Sequence, residues 1–117
     1  MLKFSLMIIL GVALAHLKVK PLNRYLEYIH YEQNQKKNVI FIHGSFTFAQ
    51  TLFQIASDYR IKHLANSYLI SMPNHGNSYD DPNFSMDSIT EDVKNFIIKN
   101  NLKNVFIVGH SLGGLVV

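Results

Sequence analysis

Apolar and polar positions alternate along the chain in short blocks with two distinct periods. Residues 25–31 have period two, with Leu26 and Tyr28 on one side and Ile29 and Tyr31 toward the other, which predicts a strand. Residues 33–38 are polar and read as a turn. Val39-Ile40-Phe41-Ile42 is an unbroken apolar run, as expected for a strand buried on both faces. Leu52, Ile55, Ala56 and Tyr59 recur at helical spacing and predict a helix over 48–60. Residues 68–72 form another short apolar run, closed by Pro73. The clearest helix spans 84–101: Met86, Ile89, Val93, Phe96 and Ile97 share one face, and Asp87, Glu91, Asp92 and Lys94 are left toward water. Ser85 is a suitable N-cap, Asp87 and Lys99 suit the helix ends, and Asn100-Asn101 supplies the stop. Val105-Phe106-Ile107-Val108 predicts a second doubly buried strand. Strand, helix, strand, helix, strand describes an α/β fold with a mostly parallel sheet and flanking helices.

Composition narrows the class further. The chain has 117 residues, 48% hydrophobic and 16% charged, enough for one modest globular domain. With no cysteine, neither a disulfide framework nor a thiolate zinc site can form. The net charge of +3 comes from nine Lys and two Arg spread through the chain, with Lys36-Lys37 the only adjacent pair. That distribution makes no basic stripe, so no nucleic-acid partner is expected.

The first fifteen residues differ in kind. Lys3 precedes twelve uncharged residues ending in Ala13-Leu14-Ala15, a small-x-small pattern of the kind signal peptidase reads. Residues 1–15 are therefore expected to be a signal peptide and 16–117 the folded portion, directing the protein to the secretory pathway or outside the cell. A buried N-terminal element is the structural alternative. A mitochondrial destination is the alternative address, against which the lack of Arg counts. The run is too short for a stable membrane span, which needs about 20 apolar residues. If the chain is secreted, Asn83-Phe84-Ser85 is a glycosylation sequon.

The chemistry concentrates at Gly109-His110-Ser111-Leu112-Gly113, a G-x-S-x-G pattern directly after an apolar strand. A serine on so tight a turn takes a strained backbone, which lifts its hydroxyl clear of the sheet. Glycines flank it because side chains there would collide with neighbouring strand and helix. Ser111 is the expected nucleophile. Charge developing on a substrate oxygen needs donors, and the backbone N–H of Leu112 is one. The second is expected from His43-Gly44-Ser45, just after the first buried strand, where Gly44 permits a sharp turn that presents the Ser45 N–H.

These residues resemble the α/β-hydrolase family over about residues 25–117, the N-terminal part of that fold. His43-Gly44-Ser45 is similar to its oxyanion loop and residues 109–113 to its nucleophile elbow. Asn74-His75-Gly76-Asn77-Ser78 is similar to the loop after its fourth strand, in which His75 and Gly76 match the motif. The Asn-His-Gly form resembles the esterase-like branch that includes the abhydrolase-domain-11 proteins. Ser71 stands where that loop usually begins with Asp, and Pro73 where a basic residue is common. The resemblance implies a serine hydrolase acting on small-molecule or lipid carboxylic esters through an acyl-enzyme, without a cofactor. A nucleophilic Ser in place of Asp argues against dehalogenase and epoxide-hydrolase activities.

The family's triad runs Ser, acid, His in chain order, yet no acidic residue and no histidine follows Ser111. His110 is expected to turn away from its neighbour, and His43 and His75 to be structural. No metal-ligand spacing occurs. The expectation is an incomplete α/β-hydrolase fold ending just after the elbow, with little turnover of its own. The alternative is a non-catalytic fragment that binds a protein partner or lipid through its open sheet edge. Phe46, Phe48 and Leu112 are expected along the near wall of an acyl pocket.

Overall fold

Four of the apolar blocks pair into one sheet in the computed structural model, which describes residues 24–117. The expected signal peptide at 1–15 lies outside the described residues. The strands are β1 (Tyr28–Tyr31), β2 (Lys37–Ile42), β3 (Ala65–Ile70) and β4 (Val105–Gly109), in the order β1-β3-β2-β4. β2 runs parallel to both β3 and β4, and β1 is antiparallel to β3. The mostly parallel sheet read from the sequence is therefore present.

Alternation sorts the side chains of the central strands onto two cores. Ile40 and Ile42 of β2, with Tyr68 and Ile70 of β3, pack on one face with Ile89, Val93 and Phe96. The last three belong to α3 (Met86–Lys99), the helix read from 84–101. Phe41 and Leu69 face the other way, against Ala49, Leu52 and Ala56. Both central strands are thus apolar on both faces, as the unbroken runs implied. α3 opens with a reciprocal cap: Ser85 Oγ accepts from the Ser88 N–H, and Ser88 Oγ from the Ser85 N–H.

Five local readings change. The expected helix over 48–60 is broken into a 3-10 turn (Ala49–Leu52), α1 (Phe53–Ala56) and α2 (Tyr59–Lys62). Asp58 is the reason: its carboxylate accepts from the Arg60 N–H at 2.9 Å and starts a new helix instead of continuing the old one. β3 begins at Ala65 because the buried Asn66 has its amide fully engaged. Its Nδ2 donates to Gln35 O and Asn38 Oδ1, and its Oδ1 accepts from the Gln33 and Gln35 N–H groups. β4 is not doubly buried, since Phe106 and Val108 are 55% and 46% exposed and no described element covers that face. The residues after the elbow form a 3-10 turn, Ser111–Leu115.

The fifth change concerns Asp92, expected in water and found 4% exposed. Arg24 reaches it through Nε and Nη2, both at 2.8 Å, and the Tyr79 hydroxyl donates to its other oxygen. Burial and the adjacent carboxylate push the Tyr79 phenol up, so it remains a donor. Helical periodicity registers charge but not a partner arriving from 68 residues away. Asp92 is buried while the Arg24 side chain is 39% exposed, so removing Arg24 leaves the buried carboxylate with the Tyr79 hydroxyl as its remaining partner. Arg24→Met is expected to cost about 2 kcal/mol in urea denaturation, and Arg24→Met combined with Asp92→Leu to recover only part of that loss, because the Tyr79 hydroxyl then loses its acceptor.

Candidate active site

The register of β2 against β4 sets Ile42 opposite Gly109, so the two chains leave the sheet side by side. The His110 N–H then donates to Ile42 O at 2.9 Å, extending the pairing by one residue into the elbow. His43-Gly44-Ser45 and His110-Ser111-Leu112 therefore begin at the same edge of the sheet.

Ser111 has φ +54°, a left-handed backbone that an L-residue adopts only at a cost. The flanking glycines are sterically required. A Cβ on Gly109 would lie 2.2 Å from Gly113 O, and one on Gly113 would lie 2.4 Å from Ile42 O. The turn closes through the Gly113 N–H to His110 O at 2.9 Å, and Ser111 stays exposed. Gly44 meets this turn directly, since a Cβ there would sit 3.0 Å from His110 Nδ1 and 3.2 Å from Ser111 Cβ. The structure thus brings Gly44, His110 and Ser111 together, with Ser45 next along the exposed loop.

His43 is fully buried, and both ring nitrogens are engaged within the protein. Its Nε2 accepts from the Met72 N–H at 2.9 Å, which leaves the proton on Nδ1, 2.6 Å from Gly44 O. Burial pushes its pKa down from 6.5, so the ring is neutral at pH 7. Thr47 Oγ1 donates to Gly44 O at 2.9 Å and tightens the same turn. His75 faces His43 with ring centroids 4.9 Å apart, its Nδ1 2.9 Å from Pro73 O. Both histidines brace loops, His75 from the 74–78 turn. There Gly76 has φ +51°, and a Cβ on it would come within 2.3 Å of Glu27 Oε2. Leu112 packs against the core beside α3, so of the three expected wall residues Phe46 and Phe48 stand exposed. Among the described residues, no three His, Asp or Glu side chains gather as metal ligands would, and no helix is long and apolar enough to cross a membrane.

Sequence reading missed Glu27. Its carboxylate accepts from Ser71 Oγ, the Asn77 N–H and Asn77 Nδ2 at 2.9, 2.9 and 3.0 Å. Ser71, noted only as a departure from the usual Asp, was the available signal.

The profile of the alpha/beta hydrolase family matches residues 39–117. The chain belongs to that family. The described portion superimposes on a marine microorganism esterase with a TM-score of 0.71 and 32% identity, over 79% of this chain and 34% of the esterase. Ethanol acetyltransferase 1 of Cyberlindnera fabianii is 32% identical over 83 residues, covering 67% of this chain and 23% of the enzyme. Its counterpart from Hanseniaspora uvarum is 31% identical over 80 residues, covering 67% and 23%. The chain spans about a quarter of the length of these curated relatives and about a third of the esterase. As a hydrolase-family chain it carries the elbow and the loop facing it.

Position 111 in such a turn inverts the usual preference for Ala over Gly. Ser111→Gly is expected to be about 1 kcal/mol more stable than Ser111→Ala, read from their denaturation midpoints.

Proposed function

We propose that Ser111 is the nucleophile of an acyl transfer from carboxylic esters, small-molecule or lipid, with the Ser45 and Leu112 N–H groups as oxyanion donors. The observation that carries this reading is the left-handed Ser111, locked between two sterically required glycines and set against Gly44. A strained, exposed serine at the end of a strand has no structural task that glycine would not do better. Ser111 Oγ would attack the ester carbonyl carbon as a base takes its proton. The oxyanion would be held by backbone donors, and collapse would expel the alcohol to leave an acyl-serine. Water would then release the acid, or a second alcohol would take the acyl group. The esterase and the ethanol acetyltransferases among its relatives support these two outcomes for that acyl-serine.

In the order Ser, acid, His the base would stand after Ser111, and we assign it to residues outside 1–117. No Asp, Glu or His follows Ser111, and both ring nitrogens of His43 are already engaged. Without that base a serine hydroxyl is a weak nucleophile, and only donors and binding assist it. A fluorophosphonate tests this directly. Residues 1–117 are expected to be labelled slowly and only at Ser111. A product of the same gene carrying an acid and a histidine beyond Ser111 is expected to react about 10³-fold faster or more. Rapid stoichiometric labelling of 1–117 would show that the base lies within it. No labelling of Ser111 in either form would leave the non-catalytic binding reading standing.

A further inference from the structure

We infer that Glu27 is a positioning residue for the oxyanion loop, acting through Ser71; this rests on the role proposed for that loop. The loop leaves the sheet at His43 and turns back at Ala49, and consecutive residues at the end of β3 hold both of these points. The Met72 N–H donates to His43 Nε2 at 2.9 Å, and Ser71 Oγ accepts from the Ala49 N–H at 3.0 Å. Between them the Gly44 carbonyl is held by His43 Nδ1 and Thr47 Oγ1, so the placement of Gly44 and Ser45 follows from where His43 and the returning turn are pinned.

A serine hydroxyl accepts from one side only if its own proton is drawn to the other. Glu27 draws it: Ser71 Oγ donates to Glu27 Oε2 at 2.9 Å, which turns a lone pair toward Ala49. The Ser71 hydroxyl is fully buried, so water cannot stand in for the missing acceptor. Glu27 is in turn held from behind, by the Asn77 N–H and Nδ2 and by the Ser78 hydroxyl, which accepts from the Glu27 N–H at 2.8 Å. That hydroxyl donates to Ser71 O at 2.6 Å. Gly76 completes the seat, because any side chain there would displace the carboxylate. A chain of charge-assisted bonds therefore runs from the 74–78 turn through Glu27 and Ser71 to the loop facing Ser111.

Glu27→Gln is nearly isosteric, but its NH₂ must face either Ser71 or Asn77 Nδ2, both of which need an acceptor. Ser71→Ala removes the relay itself. Each variant is expected to slow fluorophosphonate labelling of Ser111 about tenfold, and the double variant no more than the slower single. Hydrogen exchange at the Ala49 amide should rise at least tenfold in all three, while β2 and β4 amides stay within twofold. Labelling within twofold of the parent chain despite a loosened Ala49 would overturn the inference and leave Glu27 a purely structural residue. Additive losses would also overturn it, by showing that Glu27 does not act through Ser71. If the parent chain is unlabelled at Ser111, the proposed function fails. The inference then fails with it as a statement about chemistry, while the Ala49 exchange still reports whether the clamp exists.

Discussion

Everything at this site depends on the register that sets Ile42 of β2 opposite Gly109 of β4. Parallel strands in that register deliver two chain reversals to the same sheet edge at once, and there is little room for both. The elbow accommodates the crowding by placing glycine at 109 and 113, where a Cβ would overlap backbone atoms of the elbow itself and of β2. The first reversal accommodates it by placing Gly44 against His110 and Ser111. Left-handed strain remains in both reversals, at Phe46 of the first and at Ser111 of the elbow, whose side chain stays exposed beside the turn. A one-residue slip would turn Ile40 and Ile42 out of the core beside α3 and separate the two reversals together.

Polar groups hold the two ends of the sheet in different ways. At the end where β2 and β3 begin, Asn38 and Asn66 bond each other and the surrounding loop backbone, an uncharged network that closes the fold. At the opposite end the bonds involve a neutral buried histidine and a carboxylate, and they reach toward Ser111. His43 is neutral because burial disfavours its charge, and that neutrality lets Nε2 accept from Met72. Acid would oppose this arrangement. An unfolded histidine takes up a proton near its ordinary pKa of 6.5 while the buried ring resists, so the stability of this end declines as pH falls below that value.

Much of this was legible in the letters. Unbroken apolar runs placed β2 and the end of β3, Ser85 placed the start of α3, and the glycine pattern around Ser111 placed the elbow. What escaped was whatever depends on a distant partner. Asp92 reads as a surface charge because its partners, Arg24 and Tyr79, lie on other segments. Asn66 reads as a loop residue because the backbone groups that satisfy it come from the turn before β2. Asp58 breaks a helix that apolar spacing alone would continue. Ser71 was visible as a departure from a motif, but the carboxylate that orients it comes from the residue just before β1, brought there by the antiparallel pairing with β3. Phe106 and Val108 read as buried because an apolar run implies two covered faces, and one of those faces has no cover among the described residues.

The most direct measurement is the crystal structure of the chain after a fluorophosphonate has reacted with Ser111. The adduct places a phosphoryl oxygen where the oxyanion of an acyl transfer would form. That oxygen is expected to lie about 2.7–3.1 Å from both the Ser45 and the Leu112 backbone nitrogens. An adduct on Ser111 whose oxygen faces solvent, with neither nitrogen in reach, would contradict the reading of loop and elbow as one site.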